Sequence, residues 1–320
     1  MSGKGESKLS VLAAIAANIA IGVIKFIAAA ISGSAAMLSE GIHSIVDSGN
    51  GLLILYGMKR ASKAPDREHP LGHGKELYFW CLVVAVSIFA VGGGVSLMKG
   101  IDAWMHPAEA EGGVILTYLI LVISAIIEGI SMMVALKQFN LARGDKKPLR
   151  FIRECKDPSY YTVVFEDSAA EAGLLFALIG FTLSLLTGNP RFDAGASILI
   201  GLLLMAVATV LLIESKALLI GEGMTREELA RINALVEQDP DVDDCGDIVT
   251  LYMGPETMLL TIDAAFKPGI TAQQMLAAIA RIEASITAEF PQAKRIFIEA
   301  ESLLRSEEQH RALVRMMQED

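Results

Sequence analysis

The chain is short of charge, of cysteine and of basic character. Only 20% of its 320 residues are charged, against about 25% in an ordinary soluble domain. By contrast 53% are hydrophobic, and the mean hydropathy is +0.48. That balance excludes disorder, collagen and coiled coil. Acidic residues outnumber basic ones 37 to 27, giving a net charge of −10 and a pI near 5.1. The basic face of a nucleic-acid-binding protein is therefore missing. Cys81, Cys155 and Cys245 stand far apart and form no CxxC, which argues against a disulfide framework and suits a reduced or membrane-buried setting. No GxxxxGK[ST] loop occurs, so ATP-driven work has no support. Repeats and low-complexity segments are also lacking.

Long apolar runs are what the chain has. Crossing about 30 Å of hydrocarbon takes about 20 mostly apolar residues in a helix. Six runs qualify, at roughly 10–32, 36–58, 78–99, 114–136, 160–187 and 193–214. The first follows a short polar N-terminus, lacks a cleavage-site pattern, and reads as the first span of a polytopic chain rather than a signal peptide. Charge is unevenly divided. Residues 217–320 hold nine basic and 19 acidic residues, which leaves 18 of each in the first 216. The chain thus reads as a cytosolic N-terminus (1–9), a six-span all-α membrane domain (10–216), a cytosolic α/β domain (217–300) and a C-terminal helix (301–320).

Basic residues mark the cytoplasmic side of a membrane protein. Lys59, Arg60, Lys63, Arg67 and Lys75 follow the second run, and Lys137, Arg143, Lys146, Lys147, Arg150, Arg153 and Lys156 follow the fourth. The opposite loops carry Lys99 and Arg191 only. Both termini are then cytosolic. In the tail, Thr225 and Glu228 have capping-box spacing ahead of a helix over 225–238. Residues 247–252 and 258–266 alternate as strands about a Met253–Glu256 turn, 271–289 returns to helical period, and 295–299 makes a third strand. Residues 301–318 read as a charged terminal helix.

The chemistry lies in ionisable groups within the spans, each costing about 2.5–3.5 kcal/mol or more at the bilayer centre unless partnered. They are Lys25, Glu40, His43, Asp47, Glu128, Glu166, Asp167 and Glu171. Lys25 calls for an acid such as Glu128 as its partner. Glu40, His43 and Asp47 fall at i, i+3 and i+7, on one helix face. Asp167 and Glu171 lie one turn apart, and Glu166 points roughly 100° away from Asp167. Imidazole with carboxylates suits Zn²⁺, and also Fe²⁺, Co²⁺ or Mn²⁺. Protons compete for the same ligands. Ser44 follows His43 directly, and adjacent helical residues face different ways, so the two do not form a nucleophile–base pair. The Gly92–Gly94 run in the third span suits close helix packing.

Four segments in order resemble the cation diffusion facilitators. They are Ser34–Asp47 (SAAMLSEGIHSIVD), His69–Glu76 (HPLGHGKE), Asp193 with the stretch Ala196–Leu204, and Leu218–Glu222. The segment Asp157–Ala170 is similar to the branch that includes the mitochondrial zinc exporter. The resemblance covers residues 15–299 and implies a proton-coupled divalent-cation antiporter, not an enzyme, that exports Zn²⁺, with Fe²⁺, Co²⁺, Mn²⁺ or Cd²⁺ as other candidates. It implies no organic cofactor, a homodimer joined through ferredoxin-like cytosolic domains, and, without an Arg-rich transit peptide, a bacterial inner membrane. Two ligands on span 2 and two on span 5 are implied: His43 and Asp47, then Asp167 and the position held here by Val163. Glu171, Glu166, Glu128 or water is left to complete the shell. Asp66, His69 and His73 match a further loop site, and Lys75 matches a lysine that pairs with an acid at the start of the tail, Glu222 being the candidate. Many members bind metal in the tail through histidines, whereas this tail has only His310. Its acidic cluster Asp239, Asp241, Asp243, Asp244, Cys245 and Asp247 reads as a solvated turn, with a weak cation site as the alternative. A membrane metal sensor or scaffold without transport is the competing function.

Overall fold

The computed structural model describes residues 3–107 and 113–301. The chain divides into two compact units, Met1–Arg60 with Glu76–Lys216, and Ala61–Lys75 with Ala217–Asp320. Helical elements of the first unit are α1 (Gly3–Ser32), α2 (Ala35–Ala61), α3 (Lys75–Met105), α4 (Val114–Arg143), a short α5 (Pro148–Glu154), α6 (Ser159–Thr187) and α7 (Arg191–Ile220). Among the described residues α3, α4, α6 and α7 are long and apolar enough to cross a membrane, and Asn18–Ser32 of α1 is a shorter apolar stretch. Helix α2 is as long, but Glu40, His43, Asp47 and Asn50 interrupt its apolar residues.

Outward faces carry large apolar side chains such as Ile115, Met133, Leu141 and Leu186. Inward faces set small residues such as Ala28, Ala36, Ala85, Ala169, Ala177 and Ala196 among larger ones such as Met37, Ile88, Tyr161 and Leu204. Lipid supplies little hydrophobic drive between helices, so they associate through close packing and polar contacts. The α3–α7 seam shows this. A Cβ on Gly201 would sit 2.6 Å from the Leu97 nitrogen and 2.9 Å from the Gly93 carbonyl oxygen, so only glycine fits. Gly93 of the Gly92–Gly94 run thus serves packing, and α3 widens to π-helical geometry over Ile88–Val95 around it. Helix α4 packs along α6, and α1 packs against α4.

The start of α2 is satisfied in full. A helix leaves its first four amides without intrahelical partners. Here Asp193, in the first turn of α7, accepts through Oδ2 from the Ala35 and Ala36 amides at 2.6 and 3.3 Å. The Met37 amide donates to Ser34 Oγ at 3.0 Å, and the Leu38 amide to the Ser34 carbonyl at 3.2 Å. Ser34 Oγ in turn donates to Asp193 Oδ1 at 2.6 Å.

In the second unit, α8 (Arg226–Glu237), β1 (Val242–Gly254), β2 (Thr257–Phe266), α9 (Ala272–Glu289) and β3 (Ala293–Glu301) form a small α/β layer. Sheet order is β1-β2-β3, with β1/β2 antiparallel and β2/β3 parallel. Thr225 caps α8 with Glu228 in the expected capping box. Thr271 and Gln274 make a second one, which starts α9. Ile232, Val236, Ile282 and Ile286 of the helices meet Met258, Leu260 and Ile262 of β2 in the core.

One expectation is corrected in part. Asp239 and Asp241 do lie at a turn, and Asp243, Asp244 and Asp247 are exposed, but the segment is more than a solvated turn. Strand β1 begins at Val242, ahead of the expected 247, and Asp239 and Asp241 grip Arg281 of α9 at 2.7–2.8 Å. That contact holds the Asp239 carboxyl below the usual range. The Cys245 thiol is pushed up to about 12 by burial and by the acids around it, which keeps it protonated and a poor metal ligand. Most of the expected terminal helix lies outside the described residues, and Glu301 closes β3.

Candidate metal centre

Helices α2, α4 and α6 carry the intramembrane acids. On α2, His43 is buried, and its Nδ1 lies 3.3 Å from Asp47 Oδ1, one turn along. The pair is misaligned for a hydrogen bond, so both His43 ring nitrogens and Asp47 Oδ1 are buried without a hydrogen-bond partner. Lone pairs held in this way are unspent donor atoms, and an imidazole with a carboxylate is a borderline-soft set.

Asp47 lines a cavity of about 450 Å³ together with Val163, Glu166 and Asp167 of α6. The cavity extends to Met58, Gln138 and Tyr160, near the helix ends followed by the basic loops. Asp157 adds a fourth acid, and among the described residues no Lys or Arg lines it. An acidic cleft with low-dielectric walls concentrates cations. Glu166 is held from α2 by Asn50 Nδ2, which donates to its Oε1 at 2.8 Å. Ser131 Oγ of α4 donates to Asp167 Oδ2 at 3.1 Å. Spacing could have flagged Asn50, which falls one turn beyond Asp47 on the same face of α2. Ser131 gave no such signal, because one helix does not reveal which neighbour it meets.

Glu171 is placed elsewhere. It faces an apolar groove of about 320 Å³ between α4 and α6, with Leu121, Ile126, Leu174 and Leu178. Val163 does line the Asp47–Asp167 cavity, and its isopropyl group offers no donor there.

Lys25 of α1 is fully buried and is paired as its burial demands. Its Nζ donates to Glu128 Oε1 at 2.7 Å, to Glu40 Oε2 at 3.0 Å and to Ser44 Oγ at 3.0 Å. Glu40 Oε1 lies against Gly173, so close that a Cβ there would collide with it.

In the second unit Asp66, His69 and His73 are the three described residues whose ligand atoms all lie within 4.8 Å of one another. His73 Nε2 is 2.9 Å from Asp66 Oδ2, and His69 Nδ1 is 3.5 Å from Asp66 Oδ1. The His69 and Glu68 amides also donate to Asp66, and with the His73 ring they hold its carboxyl at about 2. The loop packs on the β1–β2 hairpin, where a Cβ on Gly74 would come within 2.8 Å of Gly254 Cα. Lys75 Nζ donates to the Leu219 carbonyl at 3.3 Å, and the Glu222 carbonyl accepts from the Tyr252 amide at 2.9 Å.

A multi-pass helical membrane body with imidazole and carboxylates meeting inside it defines a class of cation-handling membrane proteins. The model of one family, described as the cation efflux transmembrane domain, matches residues 11–220. The chain belongs to the cation efflux family. It is 32% identical over 275 residues to the mitochondrial proton-coupled zinc antiporter of Xenopus laevis, covering 85% of this chain and 49% of that protein. It is 30% identical over 285 residues to a metal tolerance protein of Arabidopsis thaliana, covering 87% and 61%. A shorter match of 79 residues, 37% identical and covering 25% of each chain, is to the magnetosome protein MamM of Paramagnetospirillum magneticum. The chain spans about half the length of several of the curated relatives it matches.

Proposed function

We propose that this chain is a secondary transporter that exports Zn²⁺ from the cytoplasm in exchange for protons. The observation that carries the reading is the set of unspent, buried donor atoms of His43 and Asp47 beside the acidic cavity that reaches Asp167. His43, Asp47 and Asp167 are the metal ligands in this reading. Glu166 supplies the fourth, in place of Val163, because it shares the cavity and Glu171 does not. A nitrogen donor among carboxylates favours Zn²⁺, and Fe²⁺, Co²⁺, Mn²⁺ and Cd²⁺ are the competitors. The Xenopus laevis relative is named a proton-coupled zinc antiporter, which supports both the ion and the proton coupling. Asp66, His69 and His73 form a second cation site on the loop. The tail is cytosolic on the positive-inside argument and joins two copies into a dimer. The test is metal-driven proton flux in liposomes. Asp47→Ala and Asp167→Ala are each expected to abolish it, and normal flux in both variants refutes the site.

A further inference from the structure

The buried cluster on Lys25 lies outside the ligand set of the transport reading, and its composition is unbalanced. One ammonium meets two carboxylates in the interior of the helical body, with Lys25 and Glu40 fully buried and the Glu128 side chain 12% exposed. Fully ionised, the cluster carries a net charge of −1. An ammonium has three N–H donors, and Lys25 spends one each on Glu40, Glu128 and Ser44. None is left for the second oxygen of either carboxylate. Glu40 Oε1 and Glu128 Oε2 are both buried with no hydrogen-bond partner. Isolated charge is expensive inside a membrane body, and so is a desolvated oxygen without a donor. One proton on either carboxyl group removes the excess charge.

We propose that Lys25, Glu40 and Glu128 form a one-proton site, separate from the metal ligands, that releases its proton when a cation binds at His43 and Asp47. This rests on the transport reading above. The hydrogen bonds of the cluster run among its own members and to Ser44. Glu40 nevertheless precedes His43 by three residues on α2, about 4.5 Å along the axis. Among the described residues, the ionisable groups close enough to feel the charge of the cluster are His43 and Asp47 on α2, and Asp167 and Glu171 on α6. A divalent ion arriving there raises the local potential. The proton then leaves its carboxyl oxygen for solvent, and that oxygen stays behind as carboxylate. When the ion departs, a proton from solvent rebinds. The exchanged proton thus has a residence of its own, next to the cation rather than in its place.

The test is infrared spectroscopy of the full chain in lipid, read in the carbonyl-stretch region of protonated carboxyl groups. Metal-free wild-type protein at neutral pH is expected to show a protonated-carboxyl band that is missing in both Glu40→Gln and Glu128→Gln, since either change leaves Lys25 one carboxylate and no surplus charge. Addition of Zn²⁺ is expected to bleach that band in the wild type. A purely structural ion pair shows no such band at any stage. Absence of the band in metal-free wild type, its persistence in both variants, or its survival on Zn²⁺ binding overturns the proposal. Asp47, Glu166 and Asp167 also carry carboxyl groups that take protons, so the band is read as the difference between wild type and variant, and one variant that folds is enough for it. If Zn²⁺ does not bind at all by calorimetry while the band is present, the transport reading fails and the proton site survives.

Discussion

Removing the Asp193 carboxylate is expected to unfasten the start of α2, the helix that carries His43 and Asp47. Asp193→Ala takes the acceptor away from the Ala35 and Ala36 amides and from the Ser34 hydroxyl, all of them buried. A buried donor left unsatisfied costs about 1–3 kcal/mol, so losing the two amide contacts comes to about 2–6 kcal/mol. The Ser34 hydroxyl can turn, and its Oγ keeps the Met37 amide, so it adds little. Asp193→Asn keeps one acceptor oxygen, and its amide can donate to Ser34 Oγ. Its loss is expected to be about 1–2 kcal/mol, the share due to charge and to the helix dipole. Thermal unfolding of the purified protein in detergent gives the order directly: wild type, then Asn, then Ala. On the transport reading, a Zn²⁺ titration is expected to show weaker binding in the same order, because His43 and Asp47 ride on the loosened helix. The reasoning is refuted if the Ala variant melts with the wild type, or if Asn is the worse of the two.

Two further outcomes follow from the second unit. Arg281→Ala is expected to destabilise the tail near neutral pH by freeing Asp239 and Asp241. Contact with Arg281 depresses the Asp239 carboxyl in the folded state, so its contribution is present above the unfolded value and is lost as pH falls through the folded one. The gap between wild type and variant in denaturant melts should begin to narrow below about pH 4 and keep narrowing as pH falls further, and a gap that keeps its full size throughout refutes the assignment. His73→Ala or Asp66→Asn is expected to lower the number of Zn²⁺ ions bound per chain in calorimetry by one, while Asp47→Ala leaves the loop ion in place. An unchanged count in both loop variants rules the loop site out.

Much of the fold was legible because its signals are local. Apolar length marked α4, α6 and α7, and the Thr225 capping box and the alternation in β2 need only neighbours in sequence. The acidic segment was read only in part, because charge alone reads as solvated, and the arginine that draws Asp239 and Asp241 into a pair lies 42 and 40 residues from them. Within the site, spacing put His43 above Asp47 on α2. It gave equal standing to Glu166 and Glu171, which a helix of 3.6 residues per turn turns in different directions. Only packing against α2 and α4 separates the one on the cavity from the one in the apolar groove. Asn50, Ser131 and Asp193 act across helices, and a single chain shows no pairing between spans.

The cavity beneath Asp47 and Asp167 also bears on hydration. At about 450 Å³ it has room for on the order of 15 waters at about 30 Å³ each. On the transport reading, a divalent ion keeps part of its water shell in this cavity and sheds it at the carboxylates and the imidazole. Mg²⁺ gives up its waters reluctantly, so on that reading the cost of drying works against it, and ions that exchange water for nitrogen readily are favoured at His43.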